Sequence, residues 1–421
     1  MRFNMNITLR LFATQFIISL LFASGLMADQ VTLSGFAQGL FGGKLQQHKL
    51  TPSDYSASEF RLQMRLESHA GDADFFSKVD FVYDNVTQPK DQWELREAYL
   101  KYTLFKRLDF KVGRQILTWG TGDLIFINDL FAKDYESFFS GRDDEYLKAP
   151  QTAIRSELYT RAGTLSLVWT PRFTPNRIPN GERFSYYNPM IGDFVGGPPF
   201  FSAPLPAERW ENSELAARFQ KGLGKVTLEL YGYRGFYKNP LGFNPVLMVP
   251  YYPKLSAYGG SLRGQLAGGI GWIEGGYYDS REDRSGTNPM IPNSSVLGLA
   301  GFERQVATDL TANLQYQAEY MEHYEDYEKT LVGPDKRDNV RSLITSRITR
   351  NFRMETIQLS SFVFWSPSDQ DVYYRFALVY KYNDAVTLTA GGNIFDGKKK
   401  FTDFGAFALN DNLYAKMTYG F

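Results

Sequence analysis

The polarity of this sequence alternates over most of its length. About eighteen segments of roughly ten residues carry apolar side chains at every second position, which is the pattern of a β-strand with two unlike faces. Near 308–320, for example, Leu314 and Tyr316 alternate with Asn313 and Gln315. The segments lie near 31–41, 58–69, 73–83, 94–103, 107–117, 152–161, 164–170, 213–221, 225–235, 256–266, 269–279, 295–305, 308–320, 341–351, 355–365, 371–383, 385–394 and 412–421.

The connections between these segments tend to alternate between short and long. Short ones include 104–106 and 162–163, long ones include 118–151 and 171–212, and 366–370 is a short exception in the long series. Outer-membrane barrels sort their loops in this way, with short periplasmic turns and long extracellular loops, whereas soluble sandwiches do not. The polar faces are also too charged for a dry core. We therefore predict an all-β fold, a transmembrane antiparallel β-barrel of about 18 strands with a water-lined interior.

The amino-terminal region has the features of a secretory signal. Arg2 and Arg10 precede an apolar run about as long as the h-region of a signal peptide. Cleavage after Ala28 is the preferred position, and cleavage after Gly25 is the alternative. We predict that residues 1–28 are a signal peptide and that residues 29–421 form a single barrel domain.

The carboxyl-terminal segment ends on an aromatic residue. Leu413, Met417 and Phe421 share one face of this strand, and Lys416 lies on the other. The segment resembles the closing strand of bacterial outer-membrane barrels, and the resemblance implies recognition by the barrel-assembly machinery through the strand that ends at Phe421. The alternative is an ordinary edge strand of a soluble sandwich.

Composition excludes several classes of function. Lys+Arg and Asp+Glu are both 46, which argues against a nucleic-acid partner. The chain has no cysteine, so it has no lipid-modified cysteine, disulfide or thiolate metal site. Its 27 Tyr and 34 Phe are explained by the aromatic girdles that barrels place at the two membrane interfaces.

Catalysis and metal binding are not indicated by the remaining residues. The three histidines are His48, His69 and His323, and none has the neighbours that a catalytic base requires, so we predict that the protein is not an enzyme. The acidic stretches 141–146 and 319–328 could hold Ca²⁺. We prefer solvated loops that face lipopolysaccharide, and we predict no metal and no cofactor.

Charged residues on the polar faces are candidates for a conduction path. Cations and carboxylates nearly balance there, and a lattice of cross-strand ion pairs that only holds the wall is an equal alternative. The predicted channel-lining residues are Arg61, Arg65, Lys78, Glu97, Lys101, Lys111, Arg155, Arg218, Arg375 and Lys381.

The segment 112–131 is the most distinctive of the chain. Gly113 could form a bulge that turns Arg114 inward, and without one Arg114 would face lipid. The apolar run 124–127 follows two glycines, and water is a poor environment for it. We therefore expect this loop to fold into the barrel as a constriction, with an external loop as the alternative. The predicted constriction residues are Arg114, Trp119, Asp123 and Asp129.

The Pro- and Gly-rich connection 171–212 cannot form regular structure. A lid over the mouth of the barrel and a surface loop are both compatible with its sequence.

Residues 113–120 follow the pattern G-R-Q-x-x-x-W-G. This pattern resembles a porin-like outer-membrane family that is similar to the alginate-export porins, whose lumen is rich in Arg and Lys. The resemblance is confined to these few residues, and beyond them it is architectural.

The predicted function is an outer-membrane channel for passive passage or export of hydrophilic solutes, with saccharides as one candidate class. The alternative is a non-conducting barrel that acts as a receptor, adhesin or assembly partner through its long loops. The predicted location is the outer membrane of a bacterium, in contact with lipid and lipopolysaccharide, and the oligomeric state is left open.

Overall fold

The computed structural model describes residues 30–46, 48–197, 202–331 and 333–421. The predicted signal peptide, residues 1–28, lies outside the described residues and stays a prediction. In the part of the chain that is described, no helix is long and apolar enough to cross a membrane.

The described residues form 22 strands, numbered here along the chain, and 18 of them make one antiparallel sheet. The sheet strands are β1 (Gln30–Lys44), β2 (Tyr55–Ala70), β3 (Ala73–Asp84), β4 (Asp91–Leu104), β5 (Leu108–Ile116), β6 (Pro150–Tyr159), β7 (Thr164–Thr170), β10 (Glu214–Leu223), β11 (Val226–Phe236), β14 (Lys254–Leu266), β15 (Gly269–Ser280), β16 (Ser295–Ala307), β17 (Leu310–Met321), β18 (Val340–Phe352), β19 (Ile357–Ser366), β20 (Asp371–Lys381), β21 (Val386–Gly397) and β22 (Asn412–Gly420). Two hairpins lie in long connections, β8 (Tyr186–Asn188) with β9 (Asp193–Val195) and β12 (Gly242–Asn244) with β13 (Val249–Tyr251).

The sheet closes into a barrel because its first and last strands pair. β22 pairs with β21 on one side and with β1 on the other. The pairing extends to the last residue, since the Phe421 N–H donates to the Gly35 carbonyl at 3.0 Å and the Gly35 N–H donates to the Phe421 carbonyl at 2.9 Å. The predicted 18-stranded antiparallel barrel is therefore confirmed, and the carboxyl-terminal strand is not an edge.

The two faces of each strand differ as the alternation predicts. On β17, Leu314 and Tyr316 are 59% and 50% exposed and point outward, whereas Asn313 and Gln315, which alternate with them, are buried on the inner side. The apolar outer face meets the acyl chains of lipid, and the polar inner face surrounds the interior.

Helices occupy little of the chain. The α-helices are Tyr135–Phe139 and Tyr324–Thr330, and the 3-10 helices are Asp144–Leu147, Trp210–Asn212 and Gly405–Phe407. Tyr135–Phe139 begins at Asp134, whose carboxylate accepts a hydrogen bond from the Ser137 N–H at 2.8 Å. This helix belongs to the long connection between β5 and β6, which packs against inward-facing residues of the wall.

Candidate solute pathway inside the barrel

The connection between β5 and β6, residues 117–149, is called the inner loop here. Its path across the interior is fixed first by Glu274, an inward-facing residue of β15. The Glu274 carboxylate accepts the N–H and the hydroxyl of Thr121 at 2.6 and 2.7 Å, and the N–H and side-chain amide of Asn128 at 3.0 and 2.9 Å. A single buried carboxylate therefore holds both sides of the first turn of the inner loop.

Asp123 lies at the end of this first turn, and side chains of β17 and β18 hold it. The Gln315 side chain accepts the Asp123 N–H at 2.8 Å and donates to the Asp123 carbonyl at 2.9 Å. The Asp123 carboxylate forms an ion pair with Arg347 at 2.8 Å. Burial raises the pKa of the Asp123 carboxyl, and the Arg347 guanidinium partly offsets this effect.

Two glycines make the turn possible. Gly120 has a φ of +84°, a conformation that favours glycine. At Gly122, an added Cβ would lie 2.4 Å from the Ile125 carbonyl oxygen, so only glycine fits there. Both glycines therefore lie where the chain reverses direction.

The apolar run after the turn packs inside the barrel. Ile125 and Ile127 are buried against inward-facing apolar residues of the wall, among them Trp272 and Leu299. Burying a large apolar side chain contributes about 1.5–3 kcal/mol, so the run stabilises the inward position of the inner loop.

Trp119 and Asp129, two of the predicted constriction residues, support the base of the inner loop. The Trp119 ring packs edge-on against Phe131 at 5.1 Å between centroids, and the Arg218 guanidinium lies 5.5 Å from its centroid. Asp129 accepts hydrogen bonds from the Thr118 hydroxyl at 2.8 Å and from the Lys133 ammonium at 2.9 Å. Complete burial lowers the pKa of Lys133, and Asp129 opposes that shift.

Arg114, the remaining predicted constriction residue, is not part of the inner loop. The pairing of β5 with β4 and β6 runs through Gly113 and Arg114 without a register shift, so Arg114 stays at an outward-facing position. Its Nε donates to the Leu95 carbonyl at 2.5 Å. The extra residue lies instead in β4, where the register shifts beside Arg96.

The helix Tyr135–Phe139 fixes the second half of the inner loop. Phe138 and Phe139 join an aromatic cluster on the inner wall, where Phe139 meets Tyr373 and Phe395 edge-on at 5.4 and 5.0 Å between centroids. Edge-on contacts of this kind are favourable beyond the area they bury. The inner loop therefore also contacts the side of the barrel formed by β19 to β21.

Three consecutive acids follow, Asp143, Asp144 and Glu145, and each faces a cation of the wall. Asp144 pairs with Arg375 at 2.5 Å, Glu145 with Lys78 at 3.4 Å, and Asp143 with Lys416. The three acidic side chains remain 43–46% exposed. These carboxylates belong to the stretch 141–146, which was considered for Ca²⁺ binding, and each of them is paired with a cation of the wall. Among the described residues, no group of three or more potential metal ligands is present.

All ten predicted channel-lining residues lie at inward-facing positions, but their surroundings differ. Arg61 is buried between Glu59 and Asp80, with its guanidinium 4.2 Å from the Tyr146 ring centroid, so it holds the wall rather than lining water. Arg65, Lys101 and Lys381 are the more exposed members. Glu97 is buried, and the partially exposed members are Lys78, Lys111, Arg155, Arg218 and Arg375.

A basic row crosses neighbouring strands of this wall. Lys101 lies directly opposite Lys111 in the β4–β5 pair, and Lys111 lies directly opposite Arg155 in the β5–β6 pair. Like charges directly opposite each other destabilise a sheet. Two carboxylates partly compensate the positive charge of this row: Asp109 lies 3.5 Å from Lys101, and Glu157 lies 2.6 Å from Arg155. A lattice of ion pairs alone nevertheless does not account for three cations that lie directly opposite one another.

The structure adds residues that the sequence analysis did not select. Arg142 of the inner loop and Arg183 of the connection between β7 and β10 meet the carboxylates of Glu59, Asp84 and Glu136 in a fully buried cluster. Strand periodicity carries no signal for Arg142 or Arg183, because both lie in irregular segments. Arg347 was detectable, since it shares the inward parity of its strand.

The chain matches no protein-family model and no curated protein. Its fold is similar to OccD3 (OpdP) of Pseudomonas aeruginosa, with a TM-score of 0.55 and 10% identity over 94% of this chain and 92% of that chain. OccK3 (OpdO) of the same organism gives a TM-score of 0.57 and 11% identity over 94% of this chain and 97% of that chain. OccK2 (OpdF) of the same organism, solved in complex with glucuronate, gives a TM-score of 0.56 and 9% identity over 93% of this chain and 98% of that chain.

At such low identity these similarities concern the fold. The resemblance of residues 113–120 to the alginate-export porins stays a prediction. The closed 18-stranded barrel and its apolar outer face are those of a porin-like protein of the bacterial outer membrane.

Proposed function

We propose that the protein is a channel for hydrophilic solutes and that the inner loop forms its constriction. One observation carries this proposal: the inner loop reaches β15, β17, β18, β20, β22 and β3 by polar contacts and still leaves the acids Asp143, Asp144 and Glu145 half exposed. A loop that served only to fill the barrel would bury these carboxylates or lack them.

The arrangement of charge gives the constriction two unlike sides. The acids of the inner loop pair with cations of β18, β20, β22 and β3. The row Lys101, Lys111 and Arg155 belongs to β4, β5 and β6, and in the described part of the chain none of these three cations forms an ion pair with Asp123, Asp143, Asp144 or Glu145. A solute between the two sides would meet carboxylates on one and cations on the other, which orients a polar molecule.

The solute class is proposed from the same features. Polar, charged walls favour hydrophilic solutes over apolar ones, and saccharides remain a candidate class. The structure of OccK2 in complex with glucuronate supports the saccharide class, because that barrel has a similar fold. No catalytic role is proposed.

Ion conductance in a planar lipid bilayer tests the channel. The purified barrel is expected to insert and to give discrete single-channel steps, whereas protein-free detergent is expected to give none. A folded barrel that inserts without passing ions would overturn the proposal and favour the non-conducting receptor or adhesin.

Removal of residues 124–140 tests the constriction. Asp123 and Asp144 both contact Arg347, at 2.8 and 3.9 Å, and a flexible glycine-rich linker replaces the deleted segment. We expect single-channel conductance to rise, because the segment that fills the interior is gone. The deletion also removes Glu136, so folding is checked by the heat-dependent gel mobility of the barrel. Unchanged conductance in a folded variant would place the constriction elsewhere.

Neutralising the acids tests the selectivity. Removing one nearby charge in water changes the energy of an ion by about 1 kcal/mol, which is a roughly five-fold change in population. The pair Asp144→Asn and Glu145→Gln removes two such charges, so it should shift the permeability ratio towards anions by at least roughly five-fold. The control is Asp326→Asn, on the helix Tyr324–Thr330 outside the inner loop. A shift of the reversal potential in the control alone, or in neither variant, would contradict the assignment.

A further inference from the structure

A cavity of about 740 Å³ lies between the inner loop and the long connections. The inner loop contributes Phe126 and Phe138 to its lining, and three other connections contribute Tyr186, Tyr252 and Phe404. We call this space the vestibule. Its volume is in the range of sites that hold small ligands.

Aromatic rings and side-chain amides line the vestibule together. Phe138 and Phe404 both pack on the aromatic cluster of the wall, so their positions are fixed by neighbours. Asn176, Asn239 and Gln317 are also part of the lining. Aromatic faces bind the apolar face of a ring, and amides exchange hydrogen bonds with hydroxyl groups at its rim.

The charge of the vestibule is already balanced. Among the described residues that line it, Arg341 and Asp403 are the charged ones, and they pair with each other at 2.7 Å. Arg341 also pairs with Asp369 at 2.5 Å. An anionic solute would have to compete with two carboxylates for Arg341, and a cationic solute would have to compete with Arg341 for Asp403.

We propose that the vestibule binds an uncharged ring compound with hydroxyl groups at its rim, before the solute reaches the constriction. This inference rests on the proposed channel function for its role in transport, but the binding itself does not depend on conductance. An aromatic alcohol and a neutral sugar share the required chemistry, so the probes below distinguish these two sources.

Calorimetric titration of the detergent-solubilised barrel tests the inference. The probes are phenyl β-glucoside and phenyl β-glucuronide, which differ by one carboxylate, together with phenol and methyl β-glucoside. We expect the neutral phenyl glucoside to bind about ten-fold more tightly than the glucuronide. Binding retained by phenol alone identifies the aromatic ring as the recognised part, and binding retained by methyl glucoside identifies the sugar.

Four variants test where the probe binds. Phe404→Ala and Tyr252→Ala, from two different connections, should each weaken phenyl glucoside binding by about ten-fold. Phe105→Ala is the matched control, because this ring is 83% exposed at a turn between β4 and β5 and should leave binding unchanged. Asp403→Asn leaves Arg341 with one carboxylate fewer, so the preference for the neutral probe should shrink.

The outcomes separate this inference from the channel proposal. Tighter binding of the glucuronide would overturn the inference, as would binding that survives both aromatic substitutions in folded protein. A barrel that conducts ions but binds no probe would also overturn it and leave the channel proposal standing. Binding by a barrel that does not conduct would support the vestibule and reject the channel.

Discussion

Replacing Arg183 by alanine is expected to detach the connection between β7 and β10 from the barrel interior. Arg183 is fully buried and pairs with Asp84 of β3 and with Glu136 of the inner loop. It also donates to the Ser56 carbonyl at 2.7 Å. Removing one partner of a buried ion pair costs roughly 3–5 kcal/mol, because the remaining charges lose their compensation.

The protonation of Arg183 strengthens this expectation. Burial alone would lower the pKa of the guanidinium, but the carboxylates of Glu136, Asp84 and Glu59 raise it above its ordinary value. Arg183 is therefore charged in the folded barrel, and Arg183→Ala removes a full positive charge from among these carboxylates.

Limited proteolysis measures the effect of Arg183→Ala. The variant should be cut within 171–197 under conditions that leave the parent chain intact, while the barrel keeps its heat-dependent mobility. Arg172→Ala is the control, since Arg172 and Glu208 form an exposed pair whose loss costs about 0–1 kcal/mol. Equal protection of both variants would show that apolar contacts, rather than this cluster, hold the connection.

An arginine on the outer face should have the second large effect. Leu314 is 59% exposed at a central outward position of β17, where it meets lipid. Leu314→Arg should cost roughly 2–4 kcal/mol of folding free energy near the bilayer midplane. The measurement is urea titration of the barrel folded into lipid vesicles.

Thr349→Arg is the matched control on the neighbouring strand. Thr349 lies at an inward position of β18, so an arginine there faces the interior rather than lipid. Its cost should be well below that of Leu314→Arg. Similar losses for both variants would mean that the assignment of the two faces is wrong.

The strands could be predicted from the sequence because each one alternates between lipid and a polar interior. That alternation is local, so every strand carries its own signal, and the eighteen predicted segments are the strands of the barrel. The apolar run 124–127 was informative for a similar reason, since it has no place in water.

The parity of a residue on its strand could not predict which inward-facing side chains are exposed and which are buried. Arg65 and Gln315 have the same parity, yet the Arg65 side chain is 48% exposed whereas Gln315 is buried on the backbone of the inner loop. The difference depends on where the inner loop lies, and no strand encodes that position. The sequence also could not decide whether Arg114 faces lipid or the interior, because the register shift occurs in the neighbouring strand β4.

The buried cluster was beyond prediction for another reason. Among its members, Glu59 and Asp84 come from two strands, Arg142 and Arg183 from two irregular connections, and Glu136 from the helix Tyr135–Phe139. Each looks like a solvated surface charge in its own segment. Only the three-dimensional arrangement shows that these charges compensate one another.

The pairing of β1 with β22 joins the two most distant strands of the chain. A contact between residues so far apart in sequence forms late, because the entropy of closing the intervening chain opposes it until the other pairs are in place. Until then, β1 and β22 each present a row of unpaired N–H and C=O groups, which is a template for pairing with a second chain. Before closure, β1 and β22 are therefore the strands of the incomplete sheet that are most able to pair with a wrong partner. If closure is slowed, we expect oligomers that can be cross-linked through cysteines introduced into these two strands.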